Sequence, residues 1–197
     1  MNEPRTITVD GVTLALVVER KRVKNLNARL RGSTVHVSAP YYATGREIDS
    51  AIPGLARTLL RRARASQVNR EEDALALARR IAARFPQPPE VQAVTFVATQ
   101  RARWGSYSPS TRTIRLNAVL RQMPRWILEA VVAHELAHAV HLHHSEEFRA
   151  LVRRVCPDTD RADAFLEGVS WLAGNWAQLH PVERALLVPS DAASGAR

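Results

Sequence analysis

Two histidines four residues apart, with a glutamate directly after the first, stand at His134-Glu135-Leu136-Ala137-His138. On a helix, positions i and i+4 share a face, so both imidazoles can reach one metal ion. Glu135 then stands beside that face, where a carboxylate can take a proton from a metal-activated water. The string is the H-E-x-x-H pattern of zinc-dependent hydrolysis, but the bare pattern also arises by chance, so its surroundings decide its weight. The stretch from Trp126 to Ala133 is largely apolar and free of Gly and Pro, and Pro124 suits a first helical turn. The pattern is therefore expected well inside a buried helix. Without a metal, His134, Glu135 and His138 there would be buried polar groups in need of other partners.

A catalytic zinc takes three protein ligands and keeps one position open. The downstream candidates are His141, His143, His144, Glu146, Glu147, Glu167 and His180. His141 shares the helical face but lies a further turn along, and a straight helix cannot easily bring three such residues to one tetrahedral ion. His144 fits if the helix ends just before it. Ser145, followed by Glu146 and Glu147, is a good start for a second helix, so a break at 143–145 is expected. The expected ligands are His134, His138 and His144, with Glu167 as the runner-up. His141 and His143 are expected around the ligands or in solvent.

The run His134-Glu-Leu-Ala-His138, with His144-Ser145 and Phe148 after it, resembles the YgjP-like metallopeptidases, relatives of the SprT-like and WLM zinc-protease groups. Arg101-Ala-Arg103-Trp104-Gly105-Ser106, then Ile114-Arg-Leu-Asn117, matches a second block of that family, and Val23-Lys24-Asn25 with Val35 to Pro40 resembles its opening strands. Two positions depart from the pattern: Tyr107 stands where Cys is frequent, and His143 where Asn is frequent. The resemblance implies an α+β fold, with a small β-rich N-terminal region and a minimal zincin-like domain around the H-E-x-x-H helix. It implies a zinc metallopeptidase, of the metalloendopeptidase kind, with one Zn2+ per chain and Glu135 as general base. A donor for the developing oxyanion is also needed, and Tyr107 and Arg103 are both candidates. Two other classes stay open: an SprT-like protease acting on DNA-bound proteins, and a non-proteolytic metal-binding module. A closed four-ligand zinc site would mark the last.

Composition sets outer bounds. A chain of 197 residues can bury a real core. Its longest apolar stretches fall far short of a bilayer span, and Met1-Asn-Glu-Pro-Arg lacks the character of a signal peptide. No membrane association and a cytoplasmic location are expected. Cys156 is the only cysteine, which excludes an internal disulfide and a cysteine-built zinc site; it reads as a small half-buried apolar residue. The net charge of +9 permits nucleic acid as a partner beside a protein or peptide substrate. Arg20-Lys21-Arg22 with Lys24, and Arg57 with Arg61, Arg62 and Arg64, are local basic clusters. Solvated helix faces and an arginine-rich composition would also produce them.

The elements that must hold these residues follow from pattern. Strands are expected at 6–10, 12–18, 23–30 and 34–38, with turns at Gly11 and at Arg31-Gly32-Ser33. Thr44 suits a helix N-cap, Pro53-Gly54 should interrupt that helix, and the pattern resumes from Leu55 to about Arg84. Pro86-Gln-Pro88-Pro89 reads as a connector, placing a boundary between an N-terminal region, 1–85, and a catalytic region, 86–180, with a flexible tail at 181–197. Strands at 91–98 and 113–117 flank the Trp104-Gly105-Ser106 turn, and helices follow at 145–155 and 161–176. Zinc proteases hold substrate as an added strand on a sheet edge, so 111–117 or the Trp104-Gly105-Ser106 turn is expected to form that edge. Equally, Trp104 can be a core aromatic and Gly105 a plain turn residue. Arg103, Trp104, Gly105, Ser106 and Tyr107 are thus the candidate substrate or oxyanion residues.

Overall fold

The computed structural model describes residues 5–188 apart from 72 and 101. Arg101 and the end of the expected tail, 189–197, lie outside the described residues. The fold is α+β, with two small sheets joined by one long helix.

The first sheet has the order β1-β2-β4-β3, from Thr6–Val9, Val12–Lys21, Thr34–Pro40 and Asn27–Arg31. Its first hairpin turns at Asp10-Gly11, where both residues have positive φ (49° and 77°). That is the geometry a two-residue hairpin prefers, and Asp-Gly supplies it cheaply. The second hairpin, β3–β4, returns so that β4 runs parallel to β2. Val23 was expected to open the third strand. Instead β2 runs on to Lys21, and the Val23 N–H bonds back to the Lys21 carbonyl at 2.9 Å, so β3 starts only at Asn27. Alternation buries Leu14, Leu16, Val35 and Val37 on one face and leaves the other to solvent.

Helix α1, Gly45–Glu71, covers the buried face with Ile48, Ile52 and Ala56. Thr44 starts it in a capping box: its hydroxyl accepts the Glu47 N–H at 3.3 Å, and the Glu47 carboxylate accepts the Thr44 N–H at 2.7 Å. The expected interruption at Pro53-Gly54 does not occur; Pro53 lies inside the helix. An interior proline costs roughly 3 kcal/mol. Here Ile52 and Ala56 lie on either side of it, buried in the first core, and their burial offsets that cost. The true break comes later, where Asp73 caps α2 (Ala74–Ala82) by accepting the Ala76 N–H at 2.9 Å.

The lower half of α1 enters a second core. Val68 is fully buried there, whereas Leu59 and Leu60 pack against the first core. Both cores thus draw on α1, and α2 belongs to the second. Asn69 ties α1 to the second sheet: its amide pairs with both the N–H and the carbonyl of Phe96, each at 2.8 Å. That sheet has the order β5-β7-β6, from Ala93–Val97, Thr113–Asn117 and Gly105–Ser108. Helix α3, Arg125–Ala137, packs on it through Ile127, Val132 and Leu136, all fully buried. Helices α4 (Glu146–Val155) and α5 (Thr159–Asn175) complete the core with Phe148, Val152, Ala162 and Leu166. Residues 181–187, expected as part of the tail, form helix α6 (Pro181–Leu187), which buries none of its side chains. No helix among the described residues is long and apolar enough to cross a membrane.

Candidate active site

The histidine pair sits at the end of a helix rather than well inside one. Helix α3 closes at Ala137, and His138 is its C-cap. The N–H groups of Ala139, Val140 and His141 fold back onto the carbonyls of Leu136 and Ala137 at 2.9–3.0 Å, which tightens the last turn and swings the chain around. The chain then runs to Ser145, whose hydroxyl accepts the Phe148 N–H at 3.3 Å and caps α4. The expected break between the two helices is present, and it begins seven residues earlier than 145. The C-terminal end of a helix carries partial negative charge, which favours a cation beside it.

This turn brings His144 back to the pair. The Nε2 atoms of His134 and His144 are 3.0 Å apart, and the ligand atoms of His134, His138 and His144 all lie within 4.8 Å of one another. Glu167, the alternative third ligand, is not part of this group. Phe148 forms the floor: its ring centroid is 4.9 Å from those of His134 and His144 and 4.7 Å from that of His138. His138 turns Nδ1 towards the His141 carbonyl at 3.2 Å, so that nitrogen carries the proton and Nε2 keeps its lone pair. Burial, helped by the charges of His138 and His144, lowers the pKa of His134 to about 4. Its imidazole is thus neutral at pH 7, the form a metal needs. Two Nε2 atoms in contact, a third imidazole beside them and an apolar floor fit a divalent ion of the zinc kind.

Glu135 lies against the edge strand β6, where its side chain meets Gly105. It is only 6% exposed. A Cβ on Gly105 would lie 2.7 Å from Glu135 Cγ and 2.8 Å from Cδ, so the carboxylate arm occupies the space a side chain would take. The Tyr107 backbone N–H and the Arg103 guanidinium both lie within electrostatic reach of the carboxylate. Both favour the charged form, yet burial is the larger effect and pushes the pKa up to about 7. Gly105 is therefore a strand residue defined by close approach, not only by a turn.

The remaining candidates divide. Arg103, Gly105, Ser106 and Tyr107 line a cleft of about 520 Å³ that also exposes the three histidines and Glu135. The Ser106 hydroxyl is engaged by the Gln100 amide at 2.7 Å. Trp104 packs against the second core and donates its indole N–H to Ser170 at 3.2 Å, so it anchors the loop to α5. Asn117 holds the same loop: its N–H bonds the Trp104 carbonyl at 2.8 Å and its amide the Gln100 carbonyl at 3.1 Å. The sheet's edges are β5 and β6, and β6, 105–108, is the one that borders the cleft. The expectation that 111–117 could form that edge is corrected, because β7 pairs on both sides, parallel to β5 and antiparallel to β6. Three contributions were not foreseen: the Phe148 floor, the His141 carbonyl and the Gly105 contact. The first has a faint signal, an aromatic four residues after His144. The other two are backbone features with no side-chain signature.

A family model for the YgjP-like metallopeptidase domain matches residues 62–168, over half of the chain. No curated protein and no solved structure matches it.

Proposed function

This chain belongs to the YgjP-like family of metallopeptidases, and on that premise we propose a zinc-dependent endopeptidase whose ligands are His134, His138 and His144 and whose general base is Glu135. When bound, zinc supplies Lewis-acid chemistry, acidifying a water and polarising the scissile carbonyl. The protein's own groups supply the rest. His138 is oriented by the His141 carbonyl and His134 is kept neutral by burial, so the site is ready for the ion before it arrives. Glu135 takes the proton from the attacking water and hands it to the leaving amine. A base with a pKa near neutrality is well matched to both transfers. The close approach of the Gly105 backbone confines the carboxylate on one side. The unpaired edge of β6 is suited to align a substrate segment as an added strand beside α3. Arg103 and Tyr107 line the same cleft and are placed to favour negative charge on the carbonyl oxygen.

One observation carries this reading: three ligand nitrogens converge within 4.8 Å while the adjacent Glu135 is held apart from them. A purely structural metal site has no use for that second feature. The test is Glu135→Gln, assayed on a mixed unfolded-protein substrate with zinc content measured in the same preparation. The variant is expected to hold zinc like wild type and to lose activity by about 10²–10⁴-fold, the usual contribution of a general base. Unchanged turnover in a zinc-loaded variant would remove Glu135 from the mechanism.

A further inference from the structure

The outer face of the first sheet has no role in hydrolysis and an unusual content. Its side chains come from alternate positions of three strands: Glu19 and Lys21 on β2, His36 and Ser38 on β4, Asn27, Arg29 and Arg31 on β3. Register sets Arg29 directly opposite His36, and Arg31 opposite Thr34. Together these residues line a cleft of about 460 Å³ that is open to solvent. Glu19 is its only acid, and it pairs with Lys21. Among the described residues no carboxylate bonds Arg29 or Arg31. Arg29 and Arg31 stand two apart on the same face of β3, and a surface that only needed solubility would intersperse acids among such cations.

The edge of this face adds two further features. The loop after β2 carries Arg22 and Lys24, both exposed. Tyr41 and Tyr42 follow β4 beside that loop and are 69% and 76% exposed. The Tyr42 hydroxyl donates to the Lys24 carbonyl, which fixes its ring against the basic loop. Arg20 binds the carbonyls of Pro40, Tyr41 and Ala43 at 2.8–3.2 Å and holds the same turn in shape. Both rings are largely exposed, and the Tyr42 ring is held by its hydroxyl, so neither is committed to packing. Beside unpaired cations they suit planar bases on a phosphate backbone.

We propose that this face, with Arg29, Arg31 and His36 at its centre and Tyr41 and Tyr42 at its rim, binds single-stranded nucleic acid. The cations take the phosphates, and the tyrosine rings stack on bases. A duplex would use the cations but not the rings, and an acidic polypeptide would do the same. The surface is separate from the histidine cluster, so the proposal does not depend on the peptidase reading.

The test is fluorescence anisotropy of the full chain with a labelled 20-nucleotide oligothymidine, repeated over a salt series. Binding should fall steeply with salt, by about 0.7 in log–log slope for each phosphate contact. Arg29→Ser combined with Arg31→Ser should cut affinity at least tenfold and lower that slope by about 1.4. Tyr41→Ala should cost about tenfold with the slope unchanged, the signature of a lost stack. Zinc content and thermal midpoint should match wild type in each variant, which excludes misfolding as the cause. Equal affinity for polyglutamate or for a duplex of the same sequence would overturn the proposal. So would no binding at low salt, or an undiminished affinity in the double serine variant.

Discussion

The two sheets of this chain carry their notable residues in different ways. The first shows water a flat face of regular alternation, and everything notable on it follows from local register. The second also turns one face to solvent, with Thr95 and Arg115 exposed, but its notable residues gather at one edge, β6, where α3 and the loop carrying His144 bring three histidines together. Leu14, Leu16, Val35 and Val37 support the first face from below; Phe148, Leu136 and Ile127 support the second site. The first is tolerant, since an exposed side chain on a strand can change without moving its neighbours. The second is not. His144 reaches its partners only because α3 ends at Ala137, and Glu135 holds its place only because residue 105 lacks a side chain. Distribution of function over a face gives graded effects, whereas convergence on a point gives sharp ones.

The sharpest break should come at His144. His144→Ala removes one of three converging nitrogens and leaves two, too few for a stable zinc site. Metal analysis of the purified variant should show zinc well below one equivalent and no measurable peptidase activity. Full zinc occupancy would send the third ligand elsewhere. Next in size is Gly105→Ala. Its Cβ would overlap the Glu135 side chain and displace the carboxylate by about 1 Å, a misplacement that can cost about 10² in rate. Zinc content should stay unchanged. Wild-type kcat in this variant would show that the close approach relaxes without consequence.

A pair of core truncations tests whether the two regions are as separate as their packing implies. Phe148→Ala should destabilise the fold by about 3–5 kcal/mol and also weaken zinc binding, because the ring underlies all three imidazoles. Leu14→Ala should cost a comparable about 2–5 kcal/mol and leave zinc affinity untouched. Denaturant melts with a zinc titration on each variant separate the two outcomes. A loss of zinc in Leu14→Ala would show that α1 transmits strain between the cores.

The smallest effect is a pH dependence of the zinc-free protein. Folding lowers the pKa of His134 from 6.5 to about 4, so its contribution to stability is lost as pH falls from about 6.5 to about 4. Folding raises that of Glu135 from 4.5 to about 7, so its contribution is lost as pH rises from about 4.5 to about 7. The two oppose each other across the shared window and flatten the wild-type profile. Glu135→Gln removes one of them, so its melting temperature without zinc should fall more steeply than that of wild type below pH 6.5. Parallel profiles would contradict the opposition.

Much of this was legible in the residues. The meeting of His134, His138 and His144 was expected from the H-E-x-x-H spacing together with Ser145, a helix start that favoured His144 over the runner-up Glu167. Period-two alternation marked the strands around Leu14 and Val35, and Asp-Gly marked their turn. The misreadings share a cause. Pro53 reads as a helix breaker because local propensity says so, and Ile52 and Ala56 overrule it through burial that no local window contains. The end of α3 reads as later than it is because Ala139 and Val140 continue the apolar run without a Gly or Pro to stop it. Only the return of the chain onto Leu136 and Ala137 closes the helix there.

The sequence by itself determined the kind of chemistry: which side chains can bind a metal, which one can move a proton, and that cysteine takes no part. It also determined the charge of the first sheet's outer face, because strand register is local. Tertiary structure alone decided that His144 meets His134 at 3.0 Å, that Phe148 floors the site, that Gly105 makes room for Glu135 and that β6 rather than β7 is the edge beside the cleft. The physical reason is range. Residue type and short spacing fix what a group can do, while distance, desolvation and edge exposure depend on segments brought together by the burial of the core.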